Sequence, residues 1–146
     1  MPCVAYHLRV RICGADDLAQ PDTFVECSPV CVVRYDGVEL WRTTPARRTQ
    51  NPRWSNEIVM VPVRQSTTPE LVVEVWDDDE LATGQSLGRI VLDSGVLLDP
   101  PQGPLSSVLQ PLPGGSPGTN ARRFAQGKLT VELRKAMPKE TRIDLQ

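Results

Sequence analysis

The 146-residue chain has little of several features that mark particular classes of protein. Aromatic residues make up 5% of it, a single histidine is present, and the net charge is −2. No apolar run approaches the roughly 20 residues that a membrane-spanning helix needs, and no signal peptide opens the chain. Nucleic-acid binders usually carry a strong basic excess, which is missing here. We therefore expect a soluble intracellular protein that does not bind nucleic acid.

Cysteine is confined to the first quarter of the chain. The four cysteines are Cys3, Cys13, Cys27 and Cys31. Their spacing lacks the paired Cys-x-x-Cys of a zinc site. We expect reduced thiols that pack as small apolar side chains, as buried free cysteines usually do. A disulfide is compatible with the sequence but is not required by it.

Helical periodicity is nearly absent, whereas apolar residues alternate with polar ones along most of the chain. With 40% hydrophobic residues, the chain has enough apolar material for one globular domain. Fourteen prolines and ten glycines separate short apolar segments. This pattern predicts an all-β, eight-stranded antiparallel sandwich. We expect one domain over residues 1–135, with a flexible loop at about 99–127 and a polar tail at 136–146.

The eight strands can be placed from the alternation and from turn residues. Pro62 predicts that the fourth strand ends early or lies at a sheet edge, because proline cannot donate to a ladder. Asp36-Gly37 predicts a tight hairpin turn between the second and third strands. The predicted strands are Leu8–Ile12, Val30–Tyr35, Glu39–Thr43, Ile58–Val63, Leu71–Val75, Leu87–Leu92, Val108–Leu112 and Leu129–Leu133.

A loop-to-strand corner precedes the fourth strand, at Asn51-Pro52-Arg53-Trp54. Proline fixes its own backbone and keeps the preceding residue out of the helical region. Trp54 is then placed to anchor the next strand in an apolar core. The corner predicts a shaped loop and says nothing by itself about ligands.

Four consecutive acids, Asp77, Asp78, Asp79 and Glu80, follow the fifth strand. Their mutual repulsion can be screened by water and salt at an exposed loop. Alternatively it can be neutralised by calcium, which takes 6–8 oxygen ligands from carboxylates, carbonyls and water. In extended backbone Asp77 and Asp79 share a face, and Asp78 can offer its carbonyl. The acidic run alone favours the solvated loop.

Read in order, these segments resemble the C2 domain, a β-sandwich module that binds calcium and phospholipid. The resemblance spans roughly residues 6–134 and rests on several motifs in sequence. They are the opening Leu8–Leu18 strand and turn, Thr49-x-Asn51-Pro52-x-Trp54-x-Asn56-Glu57, Val75-Trp76-Asp77-x-Asp79, and Leu87-Gly88. A family strand that comes first in synaptotagmins stands last here, at Gly127–Leu133. The resemblance therefore implies a Greek-key sandwich of type II, circularly permuted topology.

The resemblance also implies a calcium site, which in the family uses five aspartates. Asp22, Asp77 and Asp79 match three of them. The other two positions hold Ser28 and Gln85, which keep neutral oxygens but lose two negative charges. Since ligand charge tunes calcium affinity, we expect a weakened calcium site and lipid binding that is calcium-dependent or calcium-assisted.

Three loops, at about 14–29, 44–56 and 77–86, are expected to gather at one end and to meet anionic phospholipid. A bound calcium would make the acidic end tolerate lipid headgroups. Phe24, Val25 and Leu81 are the candidates for insertion into the interfacial zone. Packing within their own loop is the competing interpretation for Phe24 and Val25.

Basic residues contribute to the same prediction. Arg47 and Arg48 flank the second loop and are candidates for lipid phosphate contacts, although surface arginines are usually only solvated. Many C2 domains bind phosphoinositides through a lysine-rich strand, and the corresponding stretch here holds only Arg42, with Asp36 and Glu39 close by. The resemblance therefore gives little support for a phosphoinositide site there.

Two other function classes remain to be weighed. A calcium-independent protein-interaction module is the alternative, because Ser28 and Gln85 depart from the family pattern. An enzyme is disfavoured, because His7 is the one histidine and no acid–base or nucleophilic set is indicated. We expect a monomer in the cytoplasm that associates peripherally with membranes and has a protein partner as its alternative ligand.

Overall fold

The computed structural model describes residues 4–19, 28–64, 70–78, 86–113 and 125–137. These residues form eight strands and one short helix. The strands are β1 (Val4–Asp16), β2 (Pro29–Tyr35), β3 (Val38–Arg42), β4 (Ile58–Arg64), β5 (Leu71–Asp77), β6 (Ser86–Leu92), β7 (Pro104–Val108) and β8 (Lys128–Lys135). The helix, α1, is Ser94–Leu98.

The strands form two four-stranded antiparallel sheets, which confirms the predicted β-sandwich. The first sheet has the order β4-β1-β8-β7, and the second has the order β3-β2-β5-β6. The last strand thus lies beside the first, with Arg11 opposite Glu132 and Asp16 opposite Lys128. The first and last strands are thus neighbours, and the type II assignment stays a prediction.

The core lies between the sheets and is built from the alternation that the sequence shows. In β1, Leu8, Val10 and Ile12 are fully buried, whereas Arg9 and Arg11 lie on the outer face. β2 and β5 add Val33 and Val73, which are also fully buried. Burying such side chains contributes on the order of 1.5–3 kcal/mol each. Over the described ranges, no helix has both the length and the apolar character needed to cross a membrane.

Two local predictions about turns and edges are confirmed. Asp36 and Gly37 both have positive φ, +52° and +79°, as a two-residue hairpin turn between twisted strands requires. Pro62 lies within β4 opposite His7, and β4 is an edge strand of the first sheet. His7 therefore belongs to a strand, where it is half-buried.

The region after β6 differs from the prediction. The seventh strand is Pro104–Val108, not Val108–Leu112, and it pairs with β8. It lies inside the stretch 99–127 that was expected to be a loop, of which 114–124 lies outside the described residues. The helix α1 was not predicted; Asp93 caps it, since its side chain accepts the Val96 N–H at 3.1 Å.

Candidate functional site

The corner at Asn51–Trp54 lies in the β3–β4 connection and contacts the end of β1, where the β1–β2 connection begins. Both connections are predicted to lie at the same end of the sandwich. The Trp54 ring is buried, and its Nε1 donates to the Thr44 carbonyl at 2.8 Å. Its backbone N–H donates to the Cys13 carbonyl at 3.0 Å. Asn51 Oδ1 accepts the Asp17 N–H at 2.8 Å. The β3–β4 connection is therefore tied to the end of β1, and Trp54 anchors it in the core as predicted.

A buried carboxylate that sequence reasoning missed holds the start of this connection. Glu57 is 8% exposed and accepts hydrogen bonds from Trp41 Nε1 at 3.0 Å and from Thr44 Oγ1 at 3.0 Å. It also accepts the Thr44 N–H at 3.2 Å. Three donors offset the cost of burying the charge. The signal was in the sequence, because Glu57 closes the same motif as Trp54.

Ser28 links the β1–β2, β3–β4 and β5–β6 connections through its main chain and its hydroxyl. Its N–H donates to Asp77 Oδ1 at 3.2 Å, and its carbonyl accepts the Asp78 N–H at 2.9 Å. Its Oγ accepts the Arg48 N–H at 3.1 Å. Because Ser28 precedes β2, Asp77 ends β5 and Arg48 follows β3, the described parts of the three connections meet here.

Charges of both signs occur at this end of the molecule. Asp77 is 8% exposed, while Asp78 is exposed to solvent. Arg47 and Arg48 are also exposed. Arg48 has φ +44°, in the left-handed region that costs a non-glycine residue about 1–2 kcal/mol. Its N–H donates to Ser28 Oγ.

The calcium ligands predicted from the resemblance are only partly within the described residues. Asp77, Asp78 and Ser28 are brought together, whereas Asp22, Asp79 and Gln85 lie outside the described residues, as do Phe24, Val25 and Leu81. Over the described ranges, no group of three or more acidic, histidine or cysteine side chains could hold a metal ion. The oxygens present are of the hard type that calcium prefers, but they supply two carboxylates, fewer than a full shell needs.

The outer face of the second sheet carries arginines that are paired with acids. Arg42 contacts Glu39 at 2.9 Å, and Arg34 contacts Glu74 at 3.0 Å. Glu74 is buried and also accepts from Trp76 Nε1 at 3.0 Å. Arg34 and Arg42 are therefore each ion-paired on the surface of this sheet.

Comparison with known proteins gives a consistent picture of the family. The C2 domain model matches residues 6–107. The chain is 33% identical over 89 residues to human Ras GTPase-activating protein 4B, covering 61% of this chain and 11% of that protein. It is 36% identical over 94 residues to the E3 ubiquitin-protein ligase pub1 of Schizosaccharomyces pombe, covering 63% and 12%. The chain thus spans about a tenth of the length of these relatives.

Solved structures of the same fold cover nearly the whole chain. A C2 domain of plant Extended Synaptotagmin 1 superposes with a TM-score of 0.70 at 21% identity, over 92% of this chain and 95% of that one. The calcium-bound pair of C2 domains of Extended-Synaptotagmin 2 gives a TM-score of 0.72 at 21% identity, over 99% and 51%. At this identity the likeness establishes the fold alone.

Proposed function

Because the chain belongs to the C2 domain family, we propose that it binds anionic phospholipid membranes with calcium assistance. The contact surface is the end of the sandwich where Ser28 bonds to Asp77, Asp78 and Arg48. That junction is the observation that supports the proposal, since it brings three connections with acidic and basic groups to one end. The protein would act in the cytoplasm, as a non-catalytic module that associates peripherally with membranes.

Calcium would be held by Asp77, with Asp22 and Asp79 as the further carboxylates and Asp78, Ser28 and Gln85 as neutral or peripheral oxygens. The cation would offset the carboxylate charge so that an anionic headgroup can approach. Ser28 Oγ already accepts the Arg48 N–H. Fewer charged ligands lower calcium affinity, so the proposed site is weak.

Lipid contact would use the basic and apolar residues around the site. Exposed Arg47 and Arg48 are each worth about 1 kcal/mol near an anionic surface. Phe24, Val25 and Leu81 would enter the interfacial zone. Because the attachment would combine charge attraction with insertion of apolar side chains, we expect it to be reversible and to weaken as salt is raised.

Vesicle sedimentation tests the proposal with phosphatidylserine and phosphatidylcholine vesicles, in calcium and in chelator. We expect the bound fraction on phosphatidylserine to rise with calcium and to fall when Asp79 is replaced by Asn. Glu70→Gln removes the same charge from an exposed site at the start of β5, the opposite end of that strand, and serves as the matched control. Millimolar calcium that changes neither vesicle binding nor thermal stability would contradict the proposal.

Calcium-independent protein binding is the second candidate function. It is favoured by Ser28, which stands where the family has an acid and whose N–H, carbonyl and hydroxyl are all hydrogen-bonded within the protein. This function predicts a stoichiometric partner in chelator and no vesicle binding in either condition. Substitutions on a sheet face, not at the loop end, should then abolish that partner's binding.

A further inference from the structure

Three of the four sheet edges carry features that keep a further strand from pairing. The edge strands are β4 and β7 in the first sheet and β3 and β6 in the second. β4 contains Pro62, which offers an added strand no N–H. β3 has a bulge and the charged residues Glu39 and Arg42. β6 is already covered, because Arg89 and Gln110 exchange backbone hydrogen bonds of 2.8 and 2.9 Å. Natural sheets protect their edges in these ways.

β7 lacks such protection along most of its length. Its five residues carry no charge, and its one proline is the first of them. Leu109, directly after β7, donates its N–H to the Gly127 carbonyl at 3.0 Å. Because hydrogen-bonded pairs alternate along an antiparallel ladder, the N–H and C=O groups of Ser106 and Val108 point away from β8. In the described part of the chain no strand lies on that side.

The side chains agree with this orientation of the backbone. Ser106 lies opposite Thr130, and their hydroxyl oxygens are 2.7 Å apart. Such closeness is expected of a facing pair that exchanges no backbone hydrogen bonds, where side chains approach most closely. Ser106 is exposed, and Val108 is 60% exposed. The outward backbone groups of Pro104, Ser106 and Val108 therefore form an open edge, called here the β7 edge.

We propose that two copies of this chain pair through their β7 edges, antiparallel and about a two-fold axis at Ser106. In this register Ser106 faces the Ser106 of the second copy, and Val108 faces its Pro104. Each Ser106 N–H donates to the opposite Ser106 carbonyl, and each Val108 N–H donates to a Pro104 carbonyl. All outward donors of both strands are then satisfied, and proline, which has no N–H, leaves no donor unpaired.

The chemistry of the β7 edge fits a second copy in this register. An uncharged strand that meets its own copy brings no like charges opposite each other. An axis at Ser107 would instead place Pro104 opposite Gln110, whose backbone groups already bond to Arg89. The axis at Ser106 pairs the two strands along their full length and is isologous, as in most homodimers.

The proposed pairing does not depend on lipid binding. A two-fold axis between antiparallel strands reverses the strand direction, so the loop ends of the two copies point in opposite directions. Two five-residue strands make a small contact compared with the roughly 1,200–2,000 Å² that stable complexes bury. We therefore expect a monomer at low concentration, as the sequence predicted, and a reversible dimer at high concentration.

Sedimentation velocity over a series of protein concentrations tests the proposal. We expect the weight-average sedimentation coefficient of the parent to rise with concentration. Ser106→Lys and Ser106→Asp should each abolish the rise, because each places like charges opposite each other across the axis. An equimolar mixture of the two variants should restore it, since opposite charges then face each other. Val38→Lys is the matched control; it adds a charge at an exposed position of the edge strand β3 and should leave the rise unchanged.

Three results would each overturn the proposal. They are a parent sedimentation coefficient that stays constant up to the solubility limit, an equal loss in the Val38 variant, and a mixture that stays monomeric. Melting temperatures equal to the parent's show that the Ser106 variants are folded, which is expected because this position is exposed. Capture of an extended segment of another protein by β7, in a chain that stays monomeric, would assign the β7 edge to a different partner and would also overturn it.

Discussion

At the scale of single residues, Cys31 shows how burial determines chemistry in this core. Its side chain is fully buried, and its N–H donates to Thr43 Oγ1 at 2.9 Å. Burial raises the pKa of the Cys31 thiol far above its ordinary value, and the Glu57 carboxylate raises it further. Cys13 is half-buried, and burial, with Glu132 nearby, raises its thiol pKa as well. Both are free thiols, as the sequence predicted.

Thiol labelling should therefore separate these two cysteines. In the native protein we expect iodoacetamide to leave Cys31 unmodified and to modify Cys13 slowly, with peptide mass spectrometry as the readout. In denaturant both should react. Rapid native labelling of Cys31 would contradict the buried position.

The same pKa shift sets the sign of a pH effect. Above the ordinary cysteine pKa of 9.0, the unfolded chain loses the Cys31 proton while the folded protein keeps it. The contribution of this group to stability is therefore complete below that pH and decreases as pH rises above it.

At the scale of elements, glycines define where strands can meet. Gly127 precedes β8 with φ +85°, and a Cβ there would collide with the Asp16 and Asp17 carbonyl oxygens at the end of β1. Gly37, in the β2–β3 turn, has a similar φ of +79°, but nothing lies within 4 Å of the position that a Cβ would take. Both positions have a positive φ, which favours glycine, but an added Cβ would meet backbone atoms at Gly127 and open space at Gly37.

These glycines give a matched pair of alanine variants. We expect Gly37→Ala to lower the free energy of unfolding by about 1–2 kcal/mol, the cost of a left-handed residue. Gly127→Ala should cost clearly more, because the collision is with backbone that must shift at the β1–β8 junction. Urea denaturation measures both. Equal losses would show that the junction accommodates a methyl group without strain.

Strand prediction succeeded where one face of the strand packs into the core and the other face meets solvent. β1, β4 and β8 alternate between core and solvent, so period two located them, although not their ends. β7 failed because it is an exposed edge strand, held by backbone pairing and by the 2.7 Å contact of Ser106 Oγ with Thr130 Oγ1. Leu109, which suggested a strand, is buried just beyond it. α1 is too short to show helical period, and Asp93 was its one local signal.

The candidate site was predictable in part. The resemblance carried by the Trp54 motif and by the acids after β5 implied which connections meet, and the Ser28 bonds agree for the described residues. Pairings such as Arg11 with Glu132 were not predictable, because they depend on the register between the first and last strands. A one-residue slip would have changed every partner on that face.

At the scale of the whole molecule, the proposed lipid-binding surface lies at one end of the sandwich and α1 lies far from it. The loop end is defined by Ser28, Asp77 and Arg48, and β1 finishes there at Asp16. Tyr6, near the start of β1, is linked to α1 through its hydroxyl, which donates to the Leu97 carbonyl at 2.6 Å. Tyr6 precedes Asp16 by ten positions, which is roughly 30 Å along a strand, so a domain attached to a membrane by its loop end would hold α1 away from the lipid.

Attachment by the loop end alone is therefore the expected behaviour of the intact domain. With phosphatidylserine vesicles and calcium in excess, we expect Arg48→Glu to lower the bound fraction and Arg9→Glu to leave it unchanged, since roughly 20 Å of strand separates Arg9 from the loop end. Vesicle sedimentation measures this, with phosphatidylcholine vesicles as the control. Loss of binding in Arg9→Glu would mean that the outer face of the first sheet itself lies on the membrane. In that case the domain would bind lipid with its sheet and not with its loop end.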